Sequence, residues 1–175
     1  MLIPLFAMMN LSRQTSLALH QDHRANLQLL ARSEQAFARA SRSAPGADPE
    51  FLKLIAALAK HLQQDVDRHF GFEERELFSR LREAGDGGIA MLLGSEHEAI
   101  RAVAEELLPL ARSAASGVLD AAGWATLKDC VMELVERQVS HIQKEEMALL
   151  PMLNDLLDDE TDRRLASEYA ASGLN

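Results

Sequence analysis

One pattern occurs twice in this chain and limits what it can fold into. Residues 69–77 read His69-Phe70-Gly71-Phe72-Glu73-Glu74-Arg75-Glu76-Leu77, and residues 141–149 read His141-Ile142-Gln143-Lys144-Glu145-Glu146-Met147-Ala148-Leu149. Both are His-x-x-x-Glu-Glu-x-x-Leu. Upstream of each copy an acid–histidine pair recurs, Asp22-His23 and Glu96-His97, and the spacing from His23 to His69 nearly equals that from His97 to His141. Side chains four apart share one face of an α-helix. The repeat therefore reads as two helical hairpins carrying the same polar set.

The rest of the sequence supplies helices. Ala, Leu, Glu, Arg and Gln dominate, and no alternating strand pattern or Asn-Gly hairpin signal is present. A first helix is expected over residues 12–43, with Leu27, Leu30 and Phe37 inward. The run 43–49, rich in Pro and Gly, ends it, and Asp48 is placed to cap the next helix with Pro49 at its first position. That second helix buries Ile55, Leu58, Leu62, Val66, Leu77 and Leu81 and stops at 85–88. A third runs over 89–113 through Leu93, Ile100, Ala104, Leu107 and Ala111, with a kink expected at Pro109. A fourth spans 120–157, with Leu127, Val131, Leu134, Leu149 and Met152 inward and a disturbance at Pro151. Asp159 is placed to cap a short last helix ending near residue 171. The expected fold is all-α, an up-down-up-down four-helix bundle with a short C-terminal helix. Its divisions are an apolar N-terminal arm (1–11), the bundle (12–158) and the C-terminal helix and tail (159–175).

Composition narrows the function classes. The chain has 175 residues, 47% of them apolar and 26% charged, the profile of one soluble domain. Net charge is -9 without a basic stripe, which argues against nucleic acid. Cys130 is the single cysteine, so a disulfide within the chain and a cysteine metal cage are excluded, in keeping with a reducing cytoplasm. The opening MLIPLFAMM is too short to span a bilayer and lacks a cationic flank. It reads as a packed arm, ahead of a frayed tail or a start upstream of the true one at Met8 or Met9.

Each of the four long helices sends one imidazole inward at mid-length: His23, His69, His97 and His141. Two of them add a carboxylate one turn on, Glu73 and Glu145. Two carboxylates in an apolar core cost several kcal/mol each, roughly, unless neutralised. No Lys or Arg lies on those stripes. Metal ions would neutralise the carboxylates and engage the histidines, each carboxylate reaching from one ion to a second. His20, three residues before His23, is a candidate fifth nitrogen ligand, an outer hydrogen-bond donor or an edge residue. His61 falls off the apolar stripe and reads as surface. Glu74 and Glu146, five residues after their histidines, rotate about 140° away in a regular helix and read as solvated or in surface pairs. Asp65, one turn before His69, reads as solvated or as a partner of that histidine. Phe70, Phe72, Phe78 and Trp124 read as packing residues, and Tyr169 is too distant along the chain to place near the metals.

These paired motifs, with one histidine on each remaining helix, resemble the hemerythrin-like family of HHE cation-binding domains over residues 12–158. The resemblance implies a non-haem di-iron centre inside a four-helix bundle. It implies that His23, His69, His97 and His141 are iron ligands and that Glu73 and Glu145 are bridging carboxylates. The ferritin-like Glu-x-x-His pattern is absent, because Val66 and Gln138 stand three residues before His69 and His141. Oxygen-carrying hemerythrins add a second histidine on the third helix. Here Leu93 and Arg101 occupy the neighbouring positions, which sets the chain apart from those carriers. Their last-helix aspartate, five after its histidine, corresponds to Glu146, and helical phase favours Glu145 instead.

Imidazole with carboxylate suits iron, with zinc and manganese as alternatives. Four protein bonds per ion, with a hydroxo bridge as a fifth, leave a position for dioxygen, nitric oxide or peroxide between apolar walls. The expected role is a binding protein without turnover, for oxygen, nitric oxide or iron. The alternative is a di-iron enzyme that acts on peroxide or supplies iron for repair of iron–sulfur clusters, a reading weakened by the isolation of Cys130. A sensor would normally carry an output domain, for which this chain has no room.

Overall fold

The computed structural model describes residues 11–40 and 48–173. The apolar segment 1–10 and most of the expected break after the first helix (41–47) lie outside the described residues. Among those described the chain is helical and contains no strand. Helix α1 is Gln14–Arg39 and α2 is Pro49–Gln64. The second helix continues through two wide i→i+5 segments, π1 (Asp65–Phe70) and π2 (Glu73–Leu77), into α3 (Phe78–Glu83). Then come α4 (Gly87–Ala115) and α5 (Ala121–Lys144), which continues through π3 (Glu145–Leu149) into α6 (Leu150–Leu156). The last helix is α7 (Asp159–Ser172).

The boundaries follow local chemistry. Asp48 accepts hydrogen bonds from the amides of Glu50 (3.0 Å) and Phe51 (3.5 Å), with Pro49 behind it, as expected. Asp120 caps α5 by accepting from Gly123 N at 2.8 Å. Two glycine turns separate α3, α4 and α5. Gly85 (φ 94°) and Gly117 (φ 70°) occupy the left-handed region, and the amides that follow them return to Leu81 O and Ser113 O. Because Gly85 alone makes the first reversal, α4 begins at Gly87 rather than at residue 89. Helix α4 runs past Pro109 to Ala115. The cap of α7 is Asp158, which accepts from Thr161 N at 2.8 Å, whereas Asp159 is already the first helical residue.

The long helices form a closed ring of contacts: α1 with α2, α2 with α4, α4 with α5, and α5 back to α1; α7 packs on α1. Two apolar clusters fill the ring. One holds Leu30, Phe37, Phe51, Leu58, Leu62, Ile100, Leu107, Trp124 and Leu134. The other holds Leu19, Leu77, Phe78, Leu81, Leu93, Leu149, Leu165 and Tyr169. Between them, the inward face of α1 is largely polar: Leu19 is followed by His23, Asn26, Leu30 and Ser33, while Leu27 is only half-buried. No described helix is long and apolar enough to cross a membrane.

The start of α1 is held from a distance. Arg13, its N-cap, makes no side-chain cap. The amides of Gln14 and Thr15 instead donate to the two oxygens of Asp162 in α7, both at 2.9 Å. Burial works against the Asp162 charge, but those amides outweigh it and hold its carboxyl below the usual range. Asp162→Ala should cost about 1–2 kcal/mol in urea unfolding, the size of a lost N-cap. The difference from wild type should be present above the ordinary aspartate pKa near 4 and fade as pH falls through the lowered value. A difference that persists unchanged at low pH would contradict this assignment.

Candidate metal centre

Glu73 and Glu145 open the wide segments π2 and π3, and His69 lies in π1. Such segments interrupt the regular helical phase and recur at functional sites. With His23 on α1, His97 on α4 and His141 near the end of α5, they bring six expected donors to one level between the two apolar clusters. All six are buried.

The donors fall into two groups that share both carboxylates. His23, His69, Glu73 and Glu145 form one; Glu73, His97, His141 and Glu145 form the other, and within each group the ligand atoms lie within 4.8 Å of one another. Glu73 Oε1 is 3.2 Å from His69 Nε2, and its Oε2 is 3.4 Å from His97 Nε2. Glu145 Oε2 is 3.1 Å from His23 Nε2, and its Oε1 is 3.1 Å from His141 Nε2. Each carboxylate thus turns one oxygen to each half. The two nitrogens of each half also approach closely, His23 to His69 at 3.2 Å and His97 to His141 at 3.1 Å.

These donors fit a pair of cations. All four carboxylate oxygens are buried without a well-aligned hydrogen-bond partner, although imidazole nitrogens stand close by. Two imidazole nitrogens about 2.1 Å from one ion and at right angles would be about 3.0 Å apart, close to the spacing seen.

The outward nitrogens are engaged as well. His23 Nδ1 meets Glu146 Oε1 at 2.6 Å, and His97 Nδ1 meets Glu74 Oε1 at 2.8 Å. His141 Nδ1 meets Glu96 Oε2 at 3.0 Å, and His69 Nδ1 meets the Tyr169 hydroxyl at 2.7 Å. An acceptor on Nδ1 fixes the tautomer that leaves Nε2 for a metal. Each outer acid has a basic partner in turn: His20 on Glu146 (2.8 Å), Arg101 on Glu74 (2.8 Å), Lys144 on Glu96 (2.7 Å), and Arg68 on Asp22, which accepts from Tyr169.

Three expectations are corrected here. Glu146 is not solvated but 1% exposed, and Glu74 is half-buried against His97. Helix α5 is regular through Lys144, so Glu146 does turn away from His141, but that side faces α1, where it meets His20 and His23; Glu74 meets His97 of α4 and keeps the expected surface pairing, with Arg101. Tyr169 reaches the site because α7 folds back on α1, a docking that no periodicity reveals. Asp65 is buried rather than solvated, and it accepts from Asn26 Nδ2 (3.2 Å) and Gln138 Nε2 (2.9 Å). His20 stands outside the two donor groups, as an outer partner through Glu146. His61 is half-buried on α2 and is not among the converging donors.

The walls differ between the halves. Phe70 stacks on His97 at 3.8 Å between centroids, and Phe78 lies near that ring at 5.4 Å, so these packing residues line the second half. Beside His23 and His69, one turn along their helices, sit Asn26 and Asp65, with Gln138 completing a polar layer. Gln138 must turn its amide nitrogen to the Asp65 carboxylate, which leaves Oε1 buried and unpartnered.

Without a metal, charge pairing dominates. Burial alone would depress the imidazole pKa values, but the carboxylates reverse the outcome. Glu145 and Glu146 push His23 up to about 10, Glu145 and Glu73 push His97 up to about 10, and Glu145 and Glu96 push His141 up to about 9. His69 is raised by Glu73. Burial likewise opposes the charges of Glu73 and Glu145, yet the imidazoles hold both carboxyls below the usual range. For these histidines the folded pKa exceeds the unfolded value near 6.5, so their stabilisation is complete below about pH 6.5 and lost as pH rises toward 9–10. The melting temperature of metal-free protein should fall across that interval, and a flat profile would contradict the pairing. Metal-loaded protein should hold its stability there, because metal ligation replaces the protons.

A family model described as Hemerythrin HHE cation binding domain matches residues 16–153, a span that holds all six inner donors and ends before α7. No curated protein matches the chain closely enough to count as a relative. Sequence pattern, helical architecture and the paired donor groups agree with that match: the chain belongs to the hemerythrin family of HHE cation-binding domains.

Proposed function

We propose that the protein is a cytoplasmic non-haem di-iron protein that binds dioxygen, nitric oxide or peroxide. In this reading His23 and His69 hold one iron, His97 and His141 the other, and Glu73 and Glu145 bridge them. In the same reading the bundle, residues 12–158, runs up-down-up-down, with α7 packed on α1. The observation that carries the reading is the division of each buried carboxylate, one oxygen toward each histidine pair. Iron is favoured by the mixed imidazole and carboxylate donors, with zinc and manganese as the alternatives.

When bound, the irons supply an open position for the small ligand. The chain's own residues do the rest. Four Nδ1 contacts orient the imidazoles, and the outer acids with their basic partners fix the orienting groups. The burial of all six donors keeps bulk water from them.

A second reading, a di-iron enzyme acting on peroxide, is favoured by the layer of Asn26, Asp65 and Gln138. The unpartnered Gln138 Oε1 suits a ligand that carries a proton, as peroxide does and dioxygen does not. Supply of iron for iron–sulfur repair draws no support from Cys130, which is buried in the apolar cluster around Leu127 and Leu134.

Anaerobic loading with ferrous ion should give two irons per chain and release protons, since the raised imidazoles must lose theirs. Glu145→Gln should remove at least one iron at matched loading. Fewer than two irons in wild type, or full occupancy in the variant, would refute the bridged centre. A persistent, reversible absorption band in air supports the binding protein; sustained consumption of added peroxide supports the enzyme.

A further inference from the structure

The two halves of the repeat match in their inner donors but not in their outer ones. In the second half, Glu96, which precedes His97, takes the His141 Nδ1 proton directly at 3.0 Å. Its counterpart in the first half is Asp22, which precedes His23. Asp22 does not touch His69; the Tyr169 hydroxyl stands between them, 2.7 Å from His69 Nδ1 and 2.5 Å from Asp22 Oδ2. The other three outer acceptors come from the bundle helices, whereas Tyr169 comes from α7, beyond the span the family model matches.

The protons along this chain have one consistent arrangement. The Asp22 carboxylate only accepts, so the phenol gives its single proton to it. The phenol oxygen must then accept from His69 Nδ1–H, so the nitrogen a metal would take is Nε2, which faces Glu73 and His23. Tyr169 is held in place independently of any metal. It is 3% exposed, its ring lies 4.8 Å from Phe72, and the Arg68 guanidinium sits 4.6 Å from its centroid. Helix α7 is further anchored by Leu165 in the apolar cluster and by Asp162 at the start of α1.

We propose that Tyr169 is a positioning residue for the His23–His69 half of the centre, and that docking of α7 and metal binding at that half strengthen each other. The inference rests on the di-metal reading above. Where docked α7 raises metal affinity, the metal must stabilise docked α7 by the same factor. The dependence falls on one ion, because the outer acceptors of His97 and His141 lie on π2 and α4.

The test uses the full chain, ferrous ion under anaerobic conditions with a competing chelator, and hydrogen exchange over residues 159–172. In wild type, two ions bind and loading slows exchange in α7. Tyr169→Phe keeps the ring packing and removes only the hydroxyl. It should weaken one of the two ions by about 10–100-fold, the usual effect of losing an outer partner, leave the other unchanged, and make α7 exchange insensitive to metal. Asp22→Asn, which leaves Tyr169 itself intact, should shift the same ion in the same direction by less, and it carries the test if Tyr169→Phe does not fold. Superimposable titrations for wild type and both variants, equal weakening of both ions, or wild-type α7 exchange indifferent to metal would each overturn the proposal. A wild-type chain that binds no ferrous ion overturns the di-metal reading and this inference together.

Discussion

Glu73 and Glu145 are fully buried between two clusters of aliphatic and aromatic side chains. Their four oxygens lack aligned hydrogen bonds. An ionised carboxylate so placed costs several kcal/mol, roughly, unless opposite charge meets it. That requirement organises the middle of the molecule. It brings one imidazole from each long helix to the same level. It also explains the raised histidine pKa values, since protons on those rings provide the compensating charge when metal does not. Protons and metal compete for the same nitrogens, so the metal-free and metal-bound proteins have opposite pH requirements.

Around this core the charges alternate in sign with distance. Carboxylates Glu73 and Glu145 lie innermost, then the four imidazoles, then Glu74, Glu96, Glu146 and the Tyr169–Asp22 pair, then Arg101, Lys144, His20 and Arg68 at the margin. Each layer holds the one inside it. The outer ion pairs are partly exposed and contribute little to stability alone. Their effect is orientation: an imidazole whose Nδ1 is committed can present only Nε2 inward.

Much of this was legible in the sequence. The Asp48 cap, the apolar faces of α2, α4 and α5, and the inward direction of six donors all follow from residue type and a step of three or four. What was not legible had two causes. Glu146 turns away from its own histidine as helical phase requires, but rotation away from one partner is not rotation into solvent: that side faces His20 and His23 of α1, a neighbour that spacing along one helix does not show. Tyr169, Asp162 and Asp65 were missed because their partners are set by how elements dock. Tyr169 meets His69 across a hundred residues of chain, and local spacing does not encode that distance. One signal lies in the sequence: the repeat pairs Asp22 with Glu96, and both stand in the layer of acceptors around the histidines.

The same repeat shows where the halves diverge. Twofold-like symmetry in the inner donors would make the two donor groups equivalent, yet their surroundings are not. The His97 ring stacks on Phe70 and lies near Phe78, with Ile100 one turn on, a setting that is apolar except at Nδ1, which meets Glu74. At the corresponding position after His23 stands Asn26, tied through Asp65 to Gln138. Tyr169 also acts on the His23–His69 side. The polar layer and the docked helix thus converge on the His23–His69 donor group, so the two halves share their inner donors and differ in what holds them.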